Sequence, residues 1–147
     1  NLTTVLEVGC GFGRMTRIIL DHCPTIKRYV AIDVSRHQLR RAQQLIADPR
    51  VMFVQTTVQE FESNQPFDLV VSSEVLMHVA LDDIEAVMAK LVRLSQKHIV
   101  NIDYYPTLSP HNFQHPYELL YKRMPRIKGL SQEPIENLHM IFHGEVS

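Results

Sequence analysis

Short apolar runs alternate with helical stripes along most of this chain, and that alternation restricts the fold more than any other feature. The runs are TTVLEV (Thr3–Val8), RYVAID (Arg28–Asp33), VMFVQ (Val51–Gln55), FDLVVSS (Phe67–Ser73) and HIVNID (His98–Asp103). Each is short and rich in β-branched or aromatic residues, as expected of a strand buried on both faces. Between them, Met15, Ile18 and Ile19 recur at helical spacing, as do Leu39, Ala42, Leu45 and Ile46, and then Ile84, Val87, Met88, Leu91 and Leu94. Pro24 ends the first helix, Ser35 is positioned to cap the second, and Asp48-Pro49 closes it. Strand–helix–strand repetition implies parallel strands joined by right-handed crossovers, with helices on both faces. After residue 103 the pattern changes. A short helix is expected over Tyr117–Arg123, then strands in RIKGL and ENLHMIF joined by a turn near Gln132–Pro134. The expected fold is a three-layer α/β/α sandwich with a mostly parallel sheet of about seven strands and a C-terminal antiparallel hairpin.

The 147 residues suffice for one domain. The chain starts at Asn1 and enters its first strand almost at once, so a segment preceding that strand is expected to be missing. Net charge is −1, which supplies no global field toward nucleic acid or an anionic membrane. Lys122, Arg123, Arg126 and Lys128 read as a solvated face. The two cysteines, Cys10 and Cys23, form no disulfide framework, which fits a reducing, cytoplasmic setting. No run approaches the ~20 apolar residues of a membrane helix, and no signal peptide is visible.

Chemistry enters at VLEVGCGFGR, Val5–Arg14, where the first strand runs into three alternating glycines. In an open parallel sheet ligands bind beyond the carboxyl ends of the strands, where strand order reverses. Glycine lets backbone approach a ligand closely, and the following helix offers free N–H groups and the positive end of its dipole. A dinucleotide fingerprint would need glycine where Arg14 stands, and a phosphate loop would need Gly-Lys-Ser/Thr. Glu7 would repel a pyrophosphate, but not a ligand carrying an ammonium, a sulfonium and a carboxylate. Asp33 ends the second strand about 20 positions after Gly13, where a carboxylate can accept both ribose hydroxyls.

The acid followed by G-x-G-x-G, with Asp33 at this spacing, resembles the class I S-adenosylmethionine-dependent methyltransferases. The likeness extends from Val5 to about Phe142, and its specific part ends near Val79. It implies that Gly9, Cys10, Gly11, Gly13 and Arg14 receive the carboxylate of S-adenosylmethionine and that Glu7 serves its ammonium, directly or through water. It implies that Asp33 grips the ribose and that Val34 packs on the adenine. Many relatives place an acid for the adenine amino group where this chain has Thr57. Its hydroxyl or the Val58 amide would take that contact, with Gln59 or Glu60 as replacements. FDLVVSSEVLMHV resembles the fourth motif of the family, with Ser72 and Ser73 offering backbone carbonyls to the ammonium. Glu74 and His78 follow four positions apart, a spacing at which helical side chains share a face. His78 has the acid–base range to take a proton from a hydroxyl or amine.

DYYPTLSPHNFQHPY follows the fifth strand on the same rim, and its aromatic residues suit a small-molecule pocket. Tyr104, Tyr105, His111 and His115 are the candidates there for the methyl acceptor, together with Glu74. His78, His111 and His115 show no compact ligand motif, so no metal is expected. His139 and His143 read as surface or core. The expected function is methyl transfer from S-adenosylmethionine to an O, N or C nucleophile of a small molecule. A cofactor-binding partner subunit without activity is the first alternative, and an NAD-dependent oxidoreductase the second.

Overall fold

A computed structural model describes residues 1–104, 112–136 and 139–147. Its strands are β1 (Thr4–Val8), β2 (Arg28–Asp33), β3 (Val51–Gln55), β4 (Phe67–Ser73), β5 (Ser95–Tyr104), β6 (Ile127–Ile135) and β7 (His139–Val146). They form one sheet in the order β3-β2-β1-β4-β5-β7-β6. Pairing is parallel from β3 to β5 and antiparallel for β5–β7 and β6–β7. Strand order reverses between β1 and β4, which places the ligand-binding crevice above the ends of those two strands.

Alternation along the strands divides the core into two layers. Val5, Tyr29, Ala31, Leu69 and Val71 pack with Leu20 of α1 (Arg14–His22) and Leu39 of α2 (Arg36–Leu45). Leu6, Val8, Ile32 and Val70 point the other way. They meet Ile84, Met88 and Leu91 of α3 (Ile84–Leu94) and Leu120 and Tyr121 of α4 (Tyr117–Lys122). Ser35 caps α2 as its sequence position suggests, accepting the Gln38 amide at 3.3 Å. No helix among the described residues is long and apolar enough to cross a membrane.

The hairpin departs from expectation in one respect. Gln132–Pro134 lies inside β6, paired with Met140–Phe142, and the reversal comes after Ile135. A proline is tolerated there because β6 is the edge strand, whose outward N–H positions need no partner.

Asp68 ties the start of β1 to β4. Its Oδ2 accepts the Thr3 amide at 2.7 Å and hydroxyl at 2.8 Å, and Lys97 lies 2.8 Å from Oδ1. Burial opposes the charge, but Lys97 and the Thr3 donors prevail and hold this carboxyl well below the usual carboxylate range. Its contribution is therefore present above the unfolded value of 3.8 and is lost as pH falls below it. Asp68→Ala is expected to cost about 2 kcal/mol in urea unfolding at neutral pH, since it leaves buried donors without an acceptor. An unchanged urea midpoint would show that the tie carries no stability.

Candidate functional site

The loop between β1 and α1 folds back over the end of β2. The amides of Gly9 and Cys10 both donate to the Ile32 carbonyl, at 2.8 and 3.0 Å, and the Gly13 amide donates to the Cys10 carbonyl at 2.9 Å. Asp33 completes the anchorage, Oδ2 accepting the Gly11 amide and Oδ1 the Ser35 amide, each at 2.8 Å. The three glycines have positive φ but answer different demands. A Cβ at Gly9 would come within 2.2 Å of Val75, and one at Gly13 within 2.4 Å of Ile46. At Gly11 it would meet nothing within 4 Å, because Gly11 faces open space.

Glu7 lies beneath this loop, 2% exposed. The hydroxyls of Thr16 and Tyr29 both donate to its Oε2, at 2.5 and 2.7 Å. Burial pushes its carboxyl up from 4.5 to about 7; the two hydroxyl donors pull the other way, and the nearby charge of Asp33 adds to the rise. Burial, with Glu7 and Asp33 adding to it, also drives the Cys10 thiol above its ordinary range, which keeps it protonated where Cys10 lines the cleft.

A cleft of about 610 Å³ opens over the loop, within the range of small-molecule and cofactor sites. Glu7, Gly11, Arg14 and Met15 line one side, and Ser73, Glu74 and Ile102 the other. Ile135, Glu136 and His139 reach in from the β6–β7 hairpin. Glu74 is the one non-glycine residue with positive φ (57°) among the described residues, and its Oε1 lies 2.6 Å from His139 Nε2. His139 thus belongs to the cleft, not to the surface or the core. Its sequence context is an ordinary alternating strand, and only the docking of β7 beside β5 brings it to the site.

The other sequence candidates are distributed as follows. Val34 stands 64% exposed beyond the end of β2. The Thr57 hydroxyl accepts the Glu60 amide at 3.1 Å and caps the turn after β3, while the Val58 side chain joins the core. Ser72 is buried, level with Val8 of β1, and Ser73 turns toward the cleft. Arg14 is exposed at the first residue of α1. Glu74 and His78 do not share a helical face. Glu74 precedes the 3₁₀ turn Leu76–His78, and His78 is exposed on that turn, outside the cleft lining. His115 is buried on the α4 side, its Nε2 at 2.9 Å from the Val79 carbonyl and its ring stacked on Phe113. Burial lowers its basicity below the usual histidine range, though two backbone carbonyls and Asp103 oppose that. Tyr104 closes β5 opposite His139, and Tyr105 and His111 lie outside the described residues. Among the described residues no three His, Cys, Asp or Glu side chains gather as a metal site.

Comparison with known proteins agrees with this geometry. A family model described as a methyltransferase domain matches residues 5–98. The malonyl-[acyl-carrier protein] O-methyltransferase of Acetivibrio thermocellus is 33% identical over 89 residues, covering 60% of this chain and 30% of the relative. Nodulation protein S of Sinorhizobium fredii is 33% identical over 87 residues, covering 58% of this chain and 38% of the relative. The chain therefore spans well under half the length of these curated relatives. Among solved structures, the N-methyltransferase NodS from Bradyrhizobium japonicum, in complex with S-adenosyl-L-homocysteine, superposes with a TM-score of 0.79. Its identity is 20%, over 99% of this chain and 78% of that one. Magnesium protoporphyrin IX methyltransferase from Synechocystis superposes with a TM-score of 0.75 at 16% identity, over 99% and 70% of the two chains. At these identities the likeness concerns the fold.

Proposed function

We propose, from the premise that this chain belongs to the class I S-adenosylmethionine-dependent methyltransferase family, that it binds this cofactor in the cleft and directs its methyl group to a nucleophile on a small molecule. The observation that carries the reading is Gly11, whose missing side chain leaves open space in the cleft that Glu7 also lines, while its amide is held by Asp33. That is the shape a backbone takes where a ligand lies directly on it.

The residues present fit the group. Glu7 faces an ammonium from below, and the loop amides with Arg14 at the start of α1 offer donors to a carboxylate. Asp33 spends one lone pair of each oxygen on the Gly11 and Ser35 amides and keeps others for sugar hydroxyls. Val34 offers an exposed apolar face to a base, next to the end of β3, whose Gln55 side-chain amide donates to the Val34 carbonyl, and the Thr57 hydroxyl or the Val58 amide would take the adenine contact. The carbonyls at Ser72 and Ser73 supply further acceptors for the ammonium. When bound, the cofactor supplies an electrophilic methyl on a sulfonium. The chain supplies alignment and exclusion of water, so no conspicuous catalytic pair is required. A small-molecule acceptor accords with the net charge of −1 and with the dimensions of the cleft.

Titration calorimetry tests the reading. S-adenosylhomocysteine is expected to bind and NAD is not, since Glu7 disfavours a pyrophosphate. Asp33→Ala is expected to weaken S-adenosylhomocysteine at least tenfold, because it removes the sugar acceptor and releases the Gly11 amide. Tight NAD binding would move the chain to nicotinamide chemistry.

A further inference from the structure

The geometry points to Glu74 as the group that takes the acceptor's proton, to His139 as its positioning partner, and to an acceptor that presents N–H or O–H rather than a carboxylate. This rests on the methyltransferase reading above and specifies the acceptor end of the same cleft.

Two independent observations converge on Glu74. Its backbone is held in the left-handed region at φ 57°, fixed there by its own amide, which donates to the Ile102 carbonyl at 2.7 Å. A side chain other than glycine pays for that conformation, and such strain concentrates where a side chain must be aimed. The second observation is the His139 contact. Nε2 of the ring faces Glu74 Oε1 at 2.6 Å, and Nδ1 faces the Glu136 carbonyl at 3.3 Å. In the tautomer protonated at Nε2 the ring donates to Oε1, and the carboxylate keeps its remaining lone pairs. Oε2 of Glu74 accepts no hydrogen bond from the described residues, and the side chain is 55% exposed. One oxygen is thus clamped and the other faces the cleft.

The charges around this end decide the acceptor class. Glu74 comes from the end of β4, Glu136 from the hairpin and His139 from β7, while Arg14 and Glu7 belong to the glycine-loop side. Two carboxylates against one imidazole oppose an anionic acceptor and favour an amine or hydroxyl. When bound, the cofactor would offer its methyl carbon to the lone pair of the nitrogen or oxygen and would take the carbon–sulfur pair on its sulfur. The proton lost by the nucleophile passes to Glu74 Oε2 and on to solvent.

The test reads imidazole NMR signals in the labelled chain at fixed pH, with His78 as the reference ring outside the cleft lining. The first arm compares saturating S-adenosylmethionine with S-adenosylhomocysteine. The second titrates n-butylammonium and butyrate into the S-adenosylhomocysteine complex. The His139 signals are expected to differ between the two cofactor complexes while those of His78 stay, because His139 lines the cleft that would hold the sulfonium charge and His78 does not. Butylammonium is expected to move the His139 signals and butyrate is not. Glu74→Gln, which keeps the shape and removes the charge, should weaken the butylammonium response about fivefold or more. With both cofactor forms bound, a silent His139, a stronger response to butyrate, or no response to either probe overturns the assignment. Failure of both cofactor forms to bind instead overturns the methyltransferase reading itself.

Discussion

Gly11→Val is expected to raise the dissociation constant of S-adenosylhomocysteine at least a hundredfold in a chain that still folds. The two halves of that outcome have separate causes. At φ 54° a β-branched residue is strained by about 1–3 kcal/mol, which a domain of this size can absorb. No packing is disturbed, since a Cβ there meets no atom within 4 Å. The valine side chain instead enters the open space of the cleft, where the proposed ligand would lie on bare backbone. The neighbouring glycines behave differently. Valine at Gly9 or Gly13 drives into Val75 or Ile46, so the fold itself suffers there. Calorimetry paired with urea unfolding separates the cases. A folded Gly11→Val variant with wild-type affinity would place the ligand elsewhere.

Affinity for S-adenosylhomocysteine is expected to climb about tenfold between pH 6 and pH 8. Glu7 without ligand is held near 7 by burial, so at pH 6 it is mostly neutral and at pH 8 mostly ionised. A ligand ammonium prefers the ionised form, so binding at pH 6 must expel a proton, which makes the calorimetric heat depend on the buffer. Stability of the free chain runs the other way. A carboxyl raised from 4.5 to about 7 on folding favours the folded state at low pH, and that advantage disappears as pH rises from 4.5 through 7. The full loss amounts to about 3 kcal/mol. Glu7→Gln should flatten both profiles, with weaker binding at pH 8 and a more stable free chain. A pH-independent affinity in the wild type would remove Glu7 from the ammonium.

Much of this was legible in the chain, for a physical reason. β2, β3 and β4 begin and end where their apolar runs do, because polar residues or a proline bound the runs: Lys27 and Asp33 for β2, Arg50 and Thr56 for β3, Pro66 and Glu74 for β4. The glycine loop and Asp33 are local features too, one a turn and the other a strand terminus. What escaped depends on distant chain. β5 extends from Ser95 to Tyr104, beyond its apolar run, because β4 and β7 pair along its length. Thr16 and Tyr29 look like ordinary helix and strand residues until packing turns both hydroxyls onto Glu7. His139 is no different from any strand histidine until β7 enters the sheet. The turn was misplaced because Pro134 reads as a breaker, and only an edge position excuses it.

The insertion of β7 between β5 and β6 has a consequence for biosynthesis. His139 of β7 enters the cleft that Glu7 of β1 also lines, so the two meet only after β7 has left the ribosome. Contacts so far apart in sequence form late and slowly. A ligand of this cleft is thus in no position to guide folding before β7 emerges. Its protective effect should show as slower unfolding of the finished domain, not as faster acquisition of structure.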